Sequence, residues 1–202
     1  MKKIVSIDIE TLGLNPKTCD IIEFGAAIDD GVTSIDELPQ FHCFVLPPSY
    51  EIDGEDLCFY RGEPFAMNMN SKIIEKIANR FKEPNNCNFL NPSDVGEEFA
   101  NWLLNNGFTR NKDGKIKVMA AGKNFANFDM KFLCNLPTFY KHIYFHHRIH
   151  DPAQLYFNRQ KDDDLPSLDT CLKRAGIDKK VSHNALEDAL DVIRVLRFKW
   201  EQ

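Results

Sequence analysis

No apolar run in this chain approaches the roughly 18–20 residues that a membrane-spanning helix needs, so the sequence predicts no membrane partner. Cysteine never stands in a ligand pattern: Cys19, Cys43, Cys58, Cys87, Cys134 and Cys171 are scattered, with no Cys-x-x-Cys pair and no secretory signal ahead of them. A cysteine-bound zinc module and a disulfide scaffold are thereby excluded, and reduced thiols in a soluble, cytoplasmic protein are expected. Basic excess is also missing, with 25 Lys and Arg against 30 Asp and Glu. A formal charge of -5 argues against a generic polycationic nucleic-acid coat, although basic residues can cluster locally and bound metal would cancel several acids. Internal repeats and low-complexity tails are absent. Neither of two metal-like patterns holds up. His142, His146 and His150 would share a strand face while His147 would not, and no cysteine stands nearby to complete a zinc site. Around Asn111-x-Asp113-Gly114 the ends of a calcium loop would fall on Thr109 and Ala120, which are poor ligands.

What is present is a regular succession of elements. Lys3–Ile9, Ile21–Ile28 and Phe41–Leu46 read as three strands with short connections, hence an antiparallel meander. Residues 47–70 show little periodicity and much Pro, Gly, Glu and Asp, which predicts a long loop, and long loops in compact domains are often functional. Ser71 is expected to cap a helix with Ile73, Ile74, Ile77 and Phe81 on one stripe, followed by a polar connection over Lys82–Leu90. Asn91-Pro92 opens a second helix, with Val95, Phe99, Trp102 and Leu103 inward and Gly107 as its stop. A strand at Ile116–Ala121, a short helix near Phe128–Leu136, a fifth strand at Ile143–Ile149 and helices at Ser167–Ala175 and Ala185–Trp200 complete the chain, with Asp162-Asp163-Asp164 in a solvated loop. The pattern predicts one α/β domain over 1–202, a mixed five-stranded sheet with helices on both faces.

Asp8-Ile9-Glu10 closes the first apolar run. A strand alternates its faces, so residues 8 and 10 project together while Val5, Ile7 and Ile9 project into a core. Two carboxylates on one face of a buried strand are costly unless a cation neutralises them. The spacing alone is cheap, as Asp53-Gly54-Glu55 shows, and a solvated strand end is the competing reading. Asp129 follows the strand at 116–121 through a short loop; Phe128, Phe132 and Leu133 around it favour a directed carboxylate over an acid that only complements a helix dipole. In the last helix Leu186, Leu190, Ile193 and Leu196 form one apolar stripe and Ala185, Asp188, Val192 and Val195 a second. Asp188 is then either an edge residue or a metal ligand, and His183 overhangs the same place from the preceding loop, with Asn184 and Glu187 suited to cap the helix.

Together, Asp8-Ile9-Glu10-Thr11-Leu12-Gly13-Leu14, the segment Asn124–Asp129 and His183-Asn184-Ala185-Leu186-Glu187-Asp188 resemble the three motifs of the DEDDh 3′→5′ exonuclease family. Leu165–Ile177 is similar to the helix and turn that precede the third motif, and the likeness runs over residues 4–200. The resemblance implies a ribonuclease-H-like fold and a metal-dependent hydrolase that releases nucleoside 5′-monophosphates from single-stranded RNA or DNA 3′ ends. It implies that Asp8 bridges two divalent cations, Mg²⁺ or Mn²⁺, that Glu10 and Asp188 complete the first and Asp129 holds the second, and that His183 deprotonates the attacking water. Thr11, Leu12, Asn124, Phe125, Met67 and Met69 are candidate substrate contacts, with Phe65 beside them. Many relatives have an Asn four residues before the second-motif Asp, whereas Asn124 precedes Asp129 by five, a spacing more like that of the oligoribonucleases, and residues 47–70 do not resemble the corresponding segment of proofreading subunits. A catalytically inactive ribonuclease-H-like binding module is the alternative, and such modules usually miss a ligand; here none is missing.

Overall fold

The computed structural model describes residues 2–83 and 87–201. The first apolar run forms β1 (Ile4–Thr11), and β2 (Ile21–Asp29) and β3 (Gln40–Val45) follow as the expected antiparallel meander, with Val5 opposite Ile28 and Ala26 opposite Phe41. The segment expected as a loop at 47–70 is instead a hairpin, β4 (Ser49–Ile52) and β5 (Glu55–Cys58), followed by α1 (Pro64–Met69). Its cause is local: Asp53 and Gly54 take φ of 53° and 82°, the two successive left-handed residues that a tight hairpin turn needs. Pro64 then stands in the first turn of α1, where its missing N–H costs nothing.

Next comes α2 (Ser71–Ala78), where Asn70 rather than Ser71 holds the cap position and Ile77 is buried. Because the helix stops at Ala78, Phe81 leaves the stripe and is 86% exposed. The connection expected over 82–90 ends in β6 (Phe89–Leu90), which pairs parallel to β3; Pro84, Asn85 and Asn86 lie outside the described residues. After α3 (Val95–Asn105) the strand expected at 116–121 is split into β7 (Ile116–Val118) and β8 (Ala120–Ala121). Then follow α4 (Asp129–Leu133), α5 (Phe139–His142), β9 (Ile143–Phe145), α6 (Pro152–Tyr156), α7 (Leu168–Arg174) and α8 (Ala185–Trp200).

The main sheet is five-stranded and mixed, in the order β6-β3-β2-β1-β8. Its fifth strand is β6, whereas the strand expected at 143–149 shortens to β9 and pairs only with β7, because the ladder breaks between Val118 and Ala120. On one face Val5, Ile7, Ile9, Phe24, Ile28 and Phe41 pack against Val95, Phe99 and Leu103 of α3. The other face is covered by α8, where Leu190 and Ile193 meet Ala27 and Leu38 while Val192, Val195 and Leu196 meet α6 and α7. The two stripes of α8 thus divide between two contacts, except that Leu196 of the first joins the second on α6 and α7. Asp162 is not simply solvated: it pairs with Arg174 at 2.5 Å and accepts the Asn158 N–H.

Candidate metal centre

The face of β1 that carries Asp8 and Glu10 looks toward the N-terminus of α8. The approach is close because Gly25 lies opposite Asp8 in the ladder, and a Cβ there would come within 2.2 Å of the Leu186 nitrogen and 2.3 Å of the Ala185 carbonyl carbon. Two residues earlier on the same face, Glu23 is almost completely buried. Its carboxylate accepts from Asn184 Nδ2 at 3.0 Å and from the Ala185 N–H at 3.2 Å, and it lies 2.6 Å from His42 Nε2. Asn184 in turn accepts the Glu187 N–H at 3.1 Å, so it caps the helix as expected, while Glu187 turns outward to Lys179 at 2.8 Å. Neither Glu23 nor Gly25 was singled out as a site position from the sequence. An acid within Ile21-Ile22-Glu23-Phe24-Gly25-Ala26-Ala27-Ile28 is the signal that could have found the first.

This clamp sets the third motif over the first. A ring nitrogen of His183 and carboxylate oxygens of Glu10 and Asp188 lie within 4.8 Å of one another, close enough to share a cation. Asp188 is buried and accepts from the Ser182 N–H and hydroxyl at 3.3 and 3.2 Å. His183 is exposed, and its φ of 52° puts a non-glycine residue in the left-handed region, a conformation that costs free energy. Asp129, buried at the start of α4, reaches between the two β1 acids and accepts the Ile9 N–H at 3.2 Å. Its loop is held by Asp151, which accepts the Asn124 N–H at 3.0 Å.

Four acids in one place alter one another's titration. Burial, then repulsion by Asp129, Asp188, Glu10 and Glu23, raises Asp8 well above the carboxylate range. Burial and the nearby Glu23, Asp188 and Asp129 push Glu10 up to about 8. For Asp129 burial dominates and carries it to about 7, against the backbone hydrogen bonds that favour its charged form. Asp188 is raised by burial, opposed by the bonds from Ser182. A set of oxygen donors that resists ionisation until a positive charge arrives has the chemistry of a hard divalent-cation site, so these residues fit such ions. Among the described residues no other group of three or more His, Cys, Asp and Glu donors converges in this way, the histidines at 142–150 included.

The candidate substrate residues divide sharply. Leu12 is fully buried with Ile22, Phe44 and Ile77, and Phe125 is fully buried against Phe145, so both are core side chains and offer no surface to a base. Met67 packs on the Leu12 cluster. Thr11 turns its hydroxyl to the Gly13 carbonyl at 2.8 Å, and Asn124 is exposed with a φ of 57°. Met69 is 56% exposed and Phe65 75%. Both belong to α1, which is strapped to the end of β1: the Glu63 N–H donates to the Leu12 carbonyl at 2.7 Å, and Asn70 Nδ2 donates to the Thr11 carbonyl at 3.1 Å.

A mixed sheet with α3 on one face, α7 and α8 on the other, and acids at the end of β1, an interior strand between β2 and β8, defines a ribonuclease-H-like fold. Solved structures share it across the whole chain. Exonuclease I of E. coli bound to a 5cy-dT13 oligonucleotide superposes with a TM-score of 0.61 at 17% identity. The zinc-bound form of the E. coli exonuclease I–ssDNA complex gives 0.63 at 17%, and a moderately thermophilic exonuclease I from Methylocaldum szegediense gives 0.63 at 16%. Each covers 100% of this chain, which spans only 41% of the exonuclease I chains. At such identity the likeness establishes the fold. No protein-family model and no curated protein sequence matches the chain. No helix among the described residues is long and apolar enough to cross a membrane.

Proposed function

We propose that the protein is a metal-dependent 3′→5′ exonuclease that releases nucleoside 5′-monophosphates from single-stranded RNA or DNA ends. The observation that carries this reading is the convergence of Asp8, Glu10, Asp129 and Asp188, with His183 beside them, at one end of β1. Asp8, Glu10, Asp129 and Asp188 would hold two divalent cations, Mg²⁺ or Mn²⁺. Such a pair supplies charge stabilisation on the attacking and departing oxygens of a phosphodiester. His183, exposed beside Glu10 and Asp188, takes the proton of the attacking water. The exposed Phe65 and Met69 of α1 stand where terminal bases could rest. Oligonucleotides bound in the exonuclease I structures support the choice of a single strand.

Single-turnover hydrolysis of matched RNA and DNA single strands, with Mg²⁺ or Mn²⁺ and with the released products identified, tests the reading. Stepwise shortening from the 3′ end with 5′-monophosphate release is expected. Release of 3′-monophosphates, shortening from the 5′ end, or no hydrolysis with either metal would overturn it.

A further inference from the structure

Charge is segregated along this chain. Residues 106–150 contain eight Lys and Arg and only two acids, Asp113 and Asp129, although the chain as a whole is at -5. Part of this surplus is gathered at the start of β1, the end of the strand opposite to the carboxylates. There Lys2, Lys3, Arg110, Lys117 and His146 line a cavity of about 610 Å³ together with the half-buried ring of Phe108. No Asp or Glu lines it. Among the described residues none of these four Lys and Arg side chains has a carboxylate partner. Lys3 Nζ donates to the Asn106 carbonyl at 2.6 Å and lies 5.9 Å from the Phe108 ring centroid, and Arg110 donates to the Gly114 carbonyl at 2.8 Å. Carbonyl partners hold these side chains in place without neutralising them.

We propose that this cleft binds the phosphate backbone of single-stranded nucleic acid at a distance from the reacting 3′ end, an inference whose choice of ligand rests on the nuclease reading. Unneutralised cations around an aromatic ring are the combination that tracks a phosphate backbone and stacks a base without reading sequence. Asp8 lies five positions after Lys3, roughly 17 Å at the rise of a strand. A dinucleotide at the carboxylates therefore cannot reach the cleft, whereas a long strand can touch both.

The test compares the wild-type protein with the triple variant Lys2→Gln/Lys3→Gln/Lys117→Gln and the matching triple Lys→Arg variant. Fluorescence anisotropy of a labelled long single strand, in chelator and over a salt series, measures binding directly; hydrolysis of a dinucleotide with Mg²⁺ measures the carboxylate end alone. The Gln variant should bind the long strand about tenfold or more weakly, with a salt slope lower by about 2, the share of three phosphate contacts on a single strand. Its dinucleotide hydrolysis should equal wild type, and the Arg variant should bind normally. If the wild type binds and hydrolyses while the Gln variant keeps its affinity and salt slope, the cleft is not a binding site and the nuclease reading survives. Charge-dependent binding at the cleft without hydrolysis of any strand keeps the cleft and removes the nuclease reading. A Gln variant that loses dinucleotide hydrolysis in step with strand binding, or an Arg variant that binds as poorly, would overturn the proposal.

Discussion

Two segments with the same acid spacing, Asp8-Ile9-Glu10 and Asp53-Gly54-Glu55, occupy opposite settings. In the first, Ile9 is buried in the core, both carboxylates share one strand face, and α8 closes over them across Gly25. In the second the backbone is turning at Asp53 and Gly54, every residue is exposed, and water screens the acids from each other. Spacing therefore sets nothing by itself. What makes the first pair a candidate centre is a buried strand paired with β2 through Glu10 and two further acids delivered by α4 and α8.

Substitution breaks or sharpens this contrast most directly. Asp8→Asn, Glu10→Gln, Asp129→Asn and Asp188→Asn should each lower single-turnover hydrolysis by roughly 10³-fold or more, as when members of an acting unit are lost. Each should leave the metal-free melting temperature unchanged or higher, because repulsion is relieved. Asp53→Asn/Glu55→Gln should leave both quantities as they were. Near-normal hydrolysis in any one of the four removes that residue from the site.

His183→Ala should slow hydrolysis by about 10²–10⁴-fold, the range for loss of a general base, while metal affinity measured by titration calorimetry stays within a few-fold. Recovery of the rate at saturating metal would instead make His183 a ligand, consistent with its distance to Glu10 and Asp188.

Glu23 tests the clamp rather than the chemistry. In Glu23→Ala the Ala185 N–H and the Asn184 amide lose a buried acceptor, a loss of about 1–3 kcal/mol, readable by denaturant unfolding. Glu23→Gln keeps one acceptor oxygen and should fall between the two. It also removes a charge that helps raise Glu10, so metal binding should become easier at lower pH. Equal stability in all three proteins would mean that α8 is held by its apolar stripes alone.

The same residues show how far the sequence reaches. The β1 alternation and the two stripes of α8 were readable because each follows from a period, whereas the five polar positions of the candidate centre, each ambiguous alone, were joined only by the resemblance of three separated segments to one family's motifs. Glu23 was not readable, since a strand reading treats an isolated acid in an apolar run as noise until a helix end is known to sit above it. Low periodicity at 47–70 reads as a loop and masks the hairpin, although Asp53-Gly54 within it is among the strongest short turn signals. Phe125 and Leu12 looked like substrate contacts because they flank the acids, yet flanking residues on a strand or tight loop point away from the site into the core. The small strand β6 could not be read, because two residues carry no period.

The pH dependence is a smaller effect with a definite sign. Glu10 holds its proton more tightly in the fold than in the unfolded chain, up to about 8 from an ordinary 4.5, mainly through burial. The metal-free protein should therefore lose stability as pH rises through that window and level off above it. Asp8→Asn should flatten the decline, and saturating Mg²⁺ should abolish it, since the cation binds the deprotonated set. Thermal melts in chelator and in Mg²⁺ between about pH 5 and 8 decide this; a stability that rises with pH in chelator would show that burial does not hold these acids protonated in the fold.

The mildest contrast lies within α1, between Met67 and Met69. Met67 packs on Leu12, Ile22, Phe44 and Ile77, so Met67→Ala should destabilise the fold by about 1–2 kcal/mol, below the range for a fully buried methionine because the site is only partly enclosed. Activity on every substrate should then fall only in proportion to the unfolded fraction. Met69 is more than half exposed on the same short helix, and Met69→Ala should leave stability within about 0.5 kcal/mol. If Met69 supports a terminal base, its loss should weaken binding of an oligonucleotide a few-fold and spare hydrolysis of a minimal nucleotide ester, which needs only the carboxylates and their cations. Adding Phe65→Ala should deepen the loss, since an aromatic platform contributes about 1–3 kcal/mol per stacked base. Unchanged oligonucleotide affinity in the stable Phe65→Ala/Met69→Ala protein would leave α1 as a packing element that seals the end of β1, and the base platform would have to be sought on the exposed Asn124 side of the site.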